Sequence, residues 1–156
     1  MSAPDADHPN VIAFPPLLFS ATLVAGALLH LVFMRPLLPA LPARIAGGVL
    51  AVACVLVART ARRAMKRAGT NVNPREPSLA IVSDGPFRVT RNPLYLCLIG
   101  FYLAGTLLVD GVAPLVLLPP LLGVLHYGII LREERYLEAK FGDAYRAYRV
   151  RVRRYL

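Results

Sequence analysis

Apolar residues fall along this chain in four long runs separated by polar segments. The first run goes from Val11 to Met34, broken only by His30 and entered through Pro15-Pro16. The second, Ile45 to Ala58, is shorter and bracketed by Arg44 and Arg59. A third goes from Leu94 to Val109 and a fourth from Val112 to Leu131, with only Asp110-Gly111 between them. A run of roughly 20 residues, at about 1.5 Å per residue, crosses a hydrocarbon core about 30 Å thick. In lipid such runs must be helices, because the edge of a short open sheet cannot be satisfied there. The pattern predicts an all-α integral membrane protein, one domain over 1–156, with four transmembrane helices over approximately 13–34, 44–64, 93–109 and 112–132.

Details of the runs refine this picture. Arg44 and Arg59 can snorkel, and Ala61 and Ala64 let the second helix continue into the basic segment beyond it. Asp110-Gly111 is the turn of a tight hairpin between the last two helices. Pro119-Pro120 is expected to kink the fourth, since neither residue can donate to the helix ladder. The first run does not read as a cleaved leader: no positive charge precedes it, and no small-residue cleavage site ends it before Arg35-Pro36.

Composition agrees. The 156 residues are 56% hydrophobic and 17% charged, whereas soluble domains are usually under half apolar and about a quarter charged. An ordinary soluble enzyme, a disordered chain and a disulfide scaffold are excluded together. Lys and Arg number 18 against 9 Asp and Glu, and with apolar runs this long the partner of that charge is a membrane surface, not nucleic acid. Cys54 and Cys97 lie inside apolar runs with no metal-type spacing and read as buried thiols. Eight Lys and Arg lie between spans two and three, from Arg59 to Arg91, and eight follow span four, from Arg132 to Arg154. The positive-inside rule then places the central loop and both termini in the cytoplasm. Polar segments 60–92 and 132–156 share one side of the membrane, where any chemistry must be built.

In the first of these segments Leu79-Ala-Ile-Val82 is either a strand or a buried loop, Ser83-Asp-Gly-Pro86 is a turn, and Asn92-Pro93 is a helix start. In the second, Arg132-Glu133-Glu134-Arg135 continues the fourth helix out of the apolar run and sets two carboxylates at the membrane boundary, where acidic residues are costly and commonly serve a site. Phe141-Gly142-Asp143 stops that helix and starts another. Tyr145 and Tyr148 share a face of the new helix, which is expected to lie aromatic side down on the membrane, arginines toward headgroups. His30 and His126 are intramembrane histidines, candidates for lining a pocket or for helix–helix hydrogen bonds. No phosphate-binding loop, nucleophile elbow or metal-spaced histidine set is present.

The order of these pieces resembles a known family. Ala68-Gly-Thr-Asn-Val-Asn, then Leu79-Ala-Ile-Val-Ser-Asp-Gly-Pro-Phe-Arg-Val-Thr-Arg-Asn-Pro-Leu-Tyr95, then a hairpin, then Glu133-Glu134, Leu137, Phe141-Gly142, Tyr145 and Tyr148 is similar to the isoprenylcysteine carboxyl methyltransferases, most closely their small prokaryotic members, over about 66–154. The resemblance implies a methyltransferase of the bacterial inner membrane that uses S-adenosylmethionine (AdoMet), with its cofactor site at the cytoplasmic end of the last two spans. It assigns cofactor contact to Leu79, Ala80, Ile81, Val82, Phe87, Asn92, Tyr95, Glu133 and Glu134, and no metal. Asn92 stands where the family has His, and cannot titrate near neutrality. The eukaryotic enzymes' substrate-facing Arg falls at Ile129, so Arg132, about one turn along, takes that part beside Glu133 as the catalytic pair. The implied acceptor is lipophilic: a prenylated-cysteine-type carboxylate or thiol, or else a phospholipid amine, quinone or terpenoid. Two other classes compete, an NADPH-dependent sterol-type reductase, which calls for a longer chain with more spans, and a non-catalytic membrane protein clamped to lipid by its basic tail. Nothing in the residues indicates an oligomeric state.

Overall fold

A computed structural model of the chain describes residues 9–33 and 38–156. The end of the first apolar run at Met34, and Arg35-Pro36 after it, lie outside the described residues. Helices α1 (Pro15–Phe33), α2 (Ala40–Arg67), α3 (Pro93–Val109) and α4 (Val112–Leu125) carry the four apolar runs. A π-helical turn, His126–Ile130, joins α4 to α5 (Leu131–Phe141), and α6 (Asp143–Arg151) completes the set. No strand forms among the described residues, so the all-α membrane architecture holds. Three stretches, Pro15–Val32, Ala40–Arg67 and Val112–Phe141, are long and apolar enough to cross a membrane; α3, at 17 residues, is apolar but shorter.

The α2 helix is longer at both ends than the apolar run that signalled it. Ala40, Ala43, Ala61 and Ala64 are strong helix formers that carry it past its bracketing arginines. The turn after α3 is the tight one expected, with Asp110 in the left-handed region at φ 54°. The two helices then part, and α1 packs against both, its Phe19 ring edge-on to Tyr102 at 6.1 Å. Around that pair, Leu121, Leu125, Ile129 and Ile130 close the main core. Helical geometry passes through Pro119-Pro120 without a break. The ladder changes register one turn later, where the Leu131 N–H reaches back to the His126 carbonyl.

Association in lipid relies on close backbone approach, since apolar side chains gain nothing by leaving the acyl chains. The α2–α3 seam is built this way: a Cβ on Gly47 would lie 2.9 Å from the Ala104 carbonyl oxygen, and one on Gly100 would overlap Cys54 Sγ. Across the α1–α4 seam, a Cβ on Gly26 would sit 2.7 Å from Pro114 Cα. Gly48, next in the chain to Gly47, has open space around it. Gly47→Ala is therefore expected to lower the thermal midpoint in detergent. Gly48→Ala should raise it, by the helix-propensity gain of about 1 kcal/mol. Equal shifts in the two variants would refute this account of the seam.

Candidate active site

The chemistry-bearing residues converge where α2, α3 and α5 end on one side of the bundle. Beyond Leu131 the fourth helix is no longer apolar, and α5 projects past the spanning segment with Glu133 and Glu134 in its first turn. The π turn governs where those carboxylates point. One extra residue in a helical turn rotates everything after it by about 100°. With that rotation Glu133 faces the end of α3, and Glu134 faces the central loop and the C-terminal tail.

Glu134 receives three hydrogen bonds from two arginines. It accepts from Arg91 Nη2 at 2.8 Å and from Arg154 twice, Nε at 2.9 Å and Nη2 at 2.7 Å. The Glu134 and Arg91 side chains are each 8% exposed. Burial alone would raise the Glu134 pKa, but the Arg154 and Arg91 guanidiniums outweigh it and hold the carboxyl below its usual range. The same arginine ties down the tail backbone, Arg91 Nη1 donating to the carbonyls of Arg149 and Val152. Its Nε is buried without an acceptor. A short parallel bridge pairs Thr90 with Arg153, and the Asn92 amide donates to the Arg154 carbonyl at 3.0 Å.

Glu133, by contrast, receives one hydrogen bond among the described residues, from the Tyr95 hydroxyl at 2.7 Å. Burial raises its pKa, the Tyr95 hydrogen bond lowers it and Glu134 raises it again, with the net effect upward. Glu133 also forms part of two adjoining cavities. A large one of about 670 Å³ opens toward α1 and α2, within the ~300–1,000 Å³ usual for small-molecule sites. A small one of about 70 Å³ lies under the loop, room for about two waters at ~30 Å³ each. Met65, Phe87, Arg91, Asn92 and Glu133 line both.

Most of the residues singled out from the sequence meet here. Ala80, Ile81, Val82 and Glu134 line the small cavity, Tyr95 the large one, and Phe87, Asn92 and Glu133 the wall between them. The 79–82 stretch is a loop, not a strand. Leu79 is exposed and lines neither cavity, its N–H held by Thr70 Oγ1. Arg132 also lies off both, donating from Nη1 to the Asn10 carbonyl at 2.8 Å. Nor does His126 line a cavity; its Nδ1 is 2.6 Å from the Tyr155 hydroxyl. His30 sits against Gly111 at the hairpin turn.

Residues 42–144 match the phospholipid methyltransferase family. The chain belongs to that family. A 27-residue stretch is 67% identical to an uncharacterized protein of Haemophilus influenzae, covering 17% of this chain and 43% of that one. No solved structure matches significantly. Membership of that family agrees with the isoprenylcysteine carboxyl methyltransferase-like motifs and with the apolar helices. Two features of this phospholipid methyltransferase family member were not readable from those motifs. Arg91 stood inside the quoted block, yet only its neighbours Asn92 and Tyr95 were singled out. The tail helix also corrects an expectation. Tyr145 and Tyr148 do not face lipid: they are buried with Val152 against Ile81, Leu137 and Phe141, and the Tyr148 hydroxyl donates to the Phe87 carbonyl. Burial pushes the Tyr148 hydroxyl up to about 12, so it remains a donor at any ordinary pH. A sequence shows that a helix has an aromatic face but not which surface covers it, and here the loop takes the place of lipid.

Because the folded-state pKa of Glu134 is depressed, its contribution to stability is complete above the unfolded carboxylate value of about 4.3. It is lost as the pH falls through the lower folded value. Glu134→Gln should lower the thermal midpoint at pH 7 by the lower part of the ~3–5 kcal/mol typical for a broken buried pair, since Arg154 is a third exposed. The variant should also flatten the acid limb of stability against pH. An unchanged acid limb would show that the clamp does not hold the tail.

Proposed function

We propose that this methyltransferase moves a methyl group from AdoMet to a lipophilic acceptor, at the cytoplasmic face of the membrane. The observation that carries the reading is the wall shared by the two cavities, where Glu133 keeps carboxylate capacity free beside the buried, unsatisfied Arg91 Nε. An α-amino acid end group presents the complementary pair, an ammonium for Glu133 and a carboxylate for Arg91. These residues fit the charged end of the cofactor. Held there by Glu133 and Arg91, AdoMet would supply an electrophilic methyl on a sulfonium for an acceptor nucleophile, with sulfur keeping the electron pair of the broken carbon–sulfur bond.

The chain's own part is alignment and dryness. Glu133 fixes the charged end, and the Tyr95 hydroxyl holds that carboxylate in place. Phe87 and Val82 offer apolar cover. The small cavity is too tight for a nucleoside, so the 78–82 loop must move outward on binding. The large cavity, walled by Phe14, Leu94, Leu98 and Phe101 on its apolar side, suits an acceptor arriving sideways from the bilayer. Arg132 stays in this reading as a positioning residue for the 9–14 segment through its bond to Asn10. Leu79 and Glu134 shape the loop and tail, and neither grips the ligand. Cytoplasmic placement of the site rests on the lysine and arginine distribution.

Calorimetric titration of AdoMet into the detergent-purified protein should show saturable binding, weakened at least about tenfold in Glu133→Gln, the loss expected for a charge-assisted hydrogen bond of ~1.5–3 kcal/mol. Wild-type affinity should fall as acid protonates Glu133, starting above the ordinary carboxylate range, and that slope should vanish in Glu133→Gln. A folded wild type that binds no AdoMet would overturn the reading.

A further inference from the structure

Arg59, Arg62, Arg63 and Lys66 stand at i, i+3, i+4 and i+7 on α2, which places four cations on one face of one helix. The opposite face buries Ala61 and Ala64 against Phe87 and Val82, so the stripe cannot rotate away without unpacking the loop. All four side chains line the large cavity. Among the described residues no hydrogen bond or ion pair ends on any of them, and the one acid lining that cavity is Glu133. Like charges at i and i+4, here Arg59 with Arg63 and Arg62 with Lys66, repel. Anions against such a face relieve that repulsion. Beyond the shared wall of Glu133, Arg91 and Asn92, the lining includes apolar Phe14, Leu94, Leu98 and Phe101.

A cavity with a four-cation rim and an apolar floor is complementary to one kind of molecule, an amphiphile with an anionic head. We propose that the α2 stripe is the acceptor's head-group site and selects lipids bearing a net negative phosphate or carboxylate over zwitterionic ones. The head lies on Arg59, Arg62, Arg63 and Lys66, and the chain lies along Leu94, Leu98 and Phe101. The proposal deepens the methyltransferase reading and rests on it for the word acceptor, but the binding preference can be tested without it.

The chain has no tryptophan, so Phe101→Trp places a single indole on the cavity wall. In maltoside micelles, brominated-chain phosphatidylglycerol should quench it at a mole fraction at least about tenfold below that needed with brominated-chain phosphatidylcholine, given ~1 kcal/mol per basic residue near a lipid phosphate. In the Arg59→Gln/Arg62→Gln/Arg63→Gln background the two lipids should quench alike. The corresponding triple Lys variant, which keeps the charge, should retain the preference. Brominated fatty acid should behave as the anionic lipid does. Equal quenching by the two phospholipids, or a preference that survives the Gln substitutions, would overturn the proposal. Displacement of the lipid by inorganic phosphate at constant ionic strength would assign the stripe to a free anion, and would overturn it too. AdoMet calorimetry on the same samples separates the two levels: binding of AdoMet without lipid discrimination sinks this inference alone, and the reverse sinks only the methyltransferase reading.

Discussion

A carboxylate held between two guanidiniums at the end of a membrane helix organises everything on the polar side of this protein. Glu134 takes three hydrogen bonds from Arg91 and Arg154. These come from the loop before α3 and from the C-terminal tail, so one side chain joins segments that share no regular secondary structure. A lone buried carboxylate would be costly, and Arg91, 8% exposed, would without it be an unpaired buried cation. With all three present, the tail lies along Thr90–Asn92 and α6 turns its tyrosines onto the loop. The loop is thereby pressed over the end of α2, and the two cavities form beneath it. Glu133, next in sequence, has Tyr95 as its one partner among the described residues, its neighbour having drawn the cations away.

The division of labour between adjacent glutamates depends on backbone register. Consecutive helical residues point about 100° apart, so only one of the two can face the tail while the other faces α3. The π turn at His126–Ile130 sets which is which. Helix packing deeper in the bundle serves the same end. The close α2–α3 approach through Gly47 and Gly100 fixes the cationic end of α2 beside the start of α3, and so determines the width of the large cavity. Polar side chains and apolar cavity lining meet at one wall because three helix ends converge there.

Much of this was legible in the residues. Pro93 and Asp110-Gly111 mark the bounds of α3 and α4 because first-turn proline and turn chemistry is local, whereas the Asn92 side chain caps no helix N–H and reaches the Arg154 carbonyl instead. Ala80–Val82, Phe87, Asn92, Tyr95 and Glu133 were recognisable through motif order, and they do meet around adjoining cavities. What could not be read was pairing. In a chain with 18 Lys and Arg, nothing local distinguishes Arg91 and Arg154 as the partners of a carboxylate 43 and 20 residues away. Arg132, the arginine nearest to the family's substrate-facing position at Ile129, instead holds the carbonyl of Asn10. The α2 stripe did carry a readable signal, its i, i+3, i+4, i+7 spacing, but as positive-inside charge it looked already explained. For the tail, amphipathicity showed a face without showing its cover. Loop–tail packing depends on the long-range Glu134 clamp, and so lay beyond any window along the chain.

The central claim is that this cluster transfers a methyl group to a membrane lipid. Incubating the purified protein with methyl-labelled AdoMet and a lipid extract, and then counting label in the organic phase, tests it most directly. The account predicts label in lipid with the wild type and background levels with Glu133→Gln. Lipid label that stays at background with a folded, AdoMet-binding wild type would contradict it.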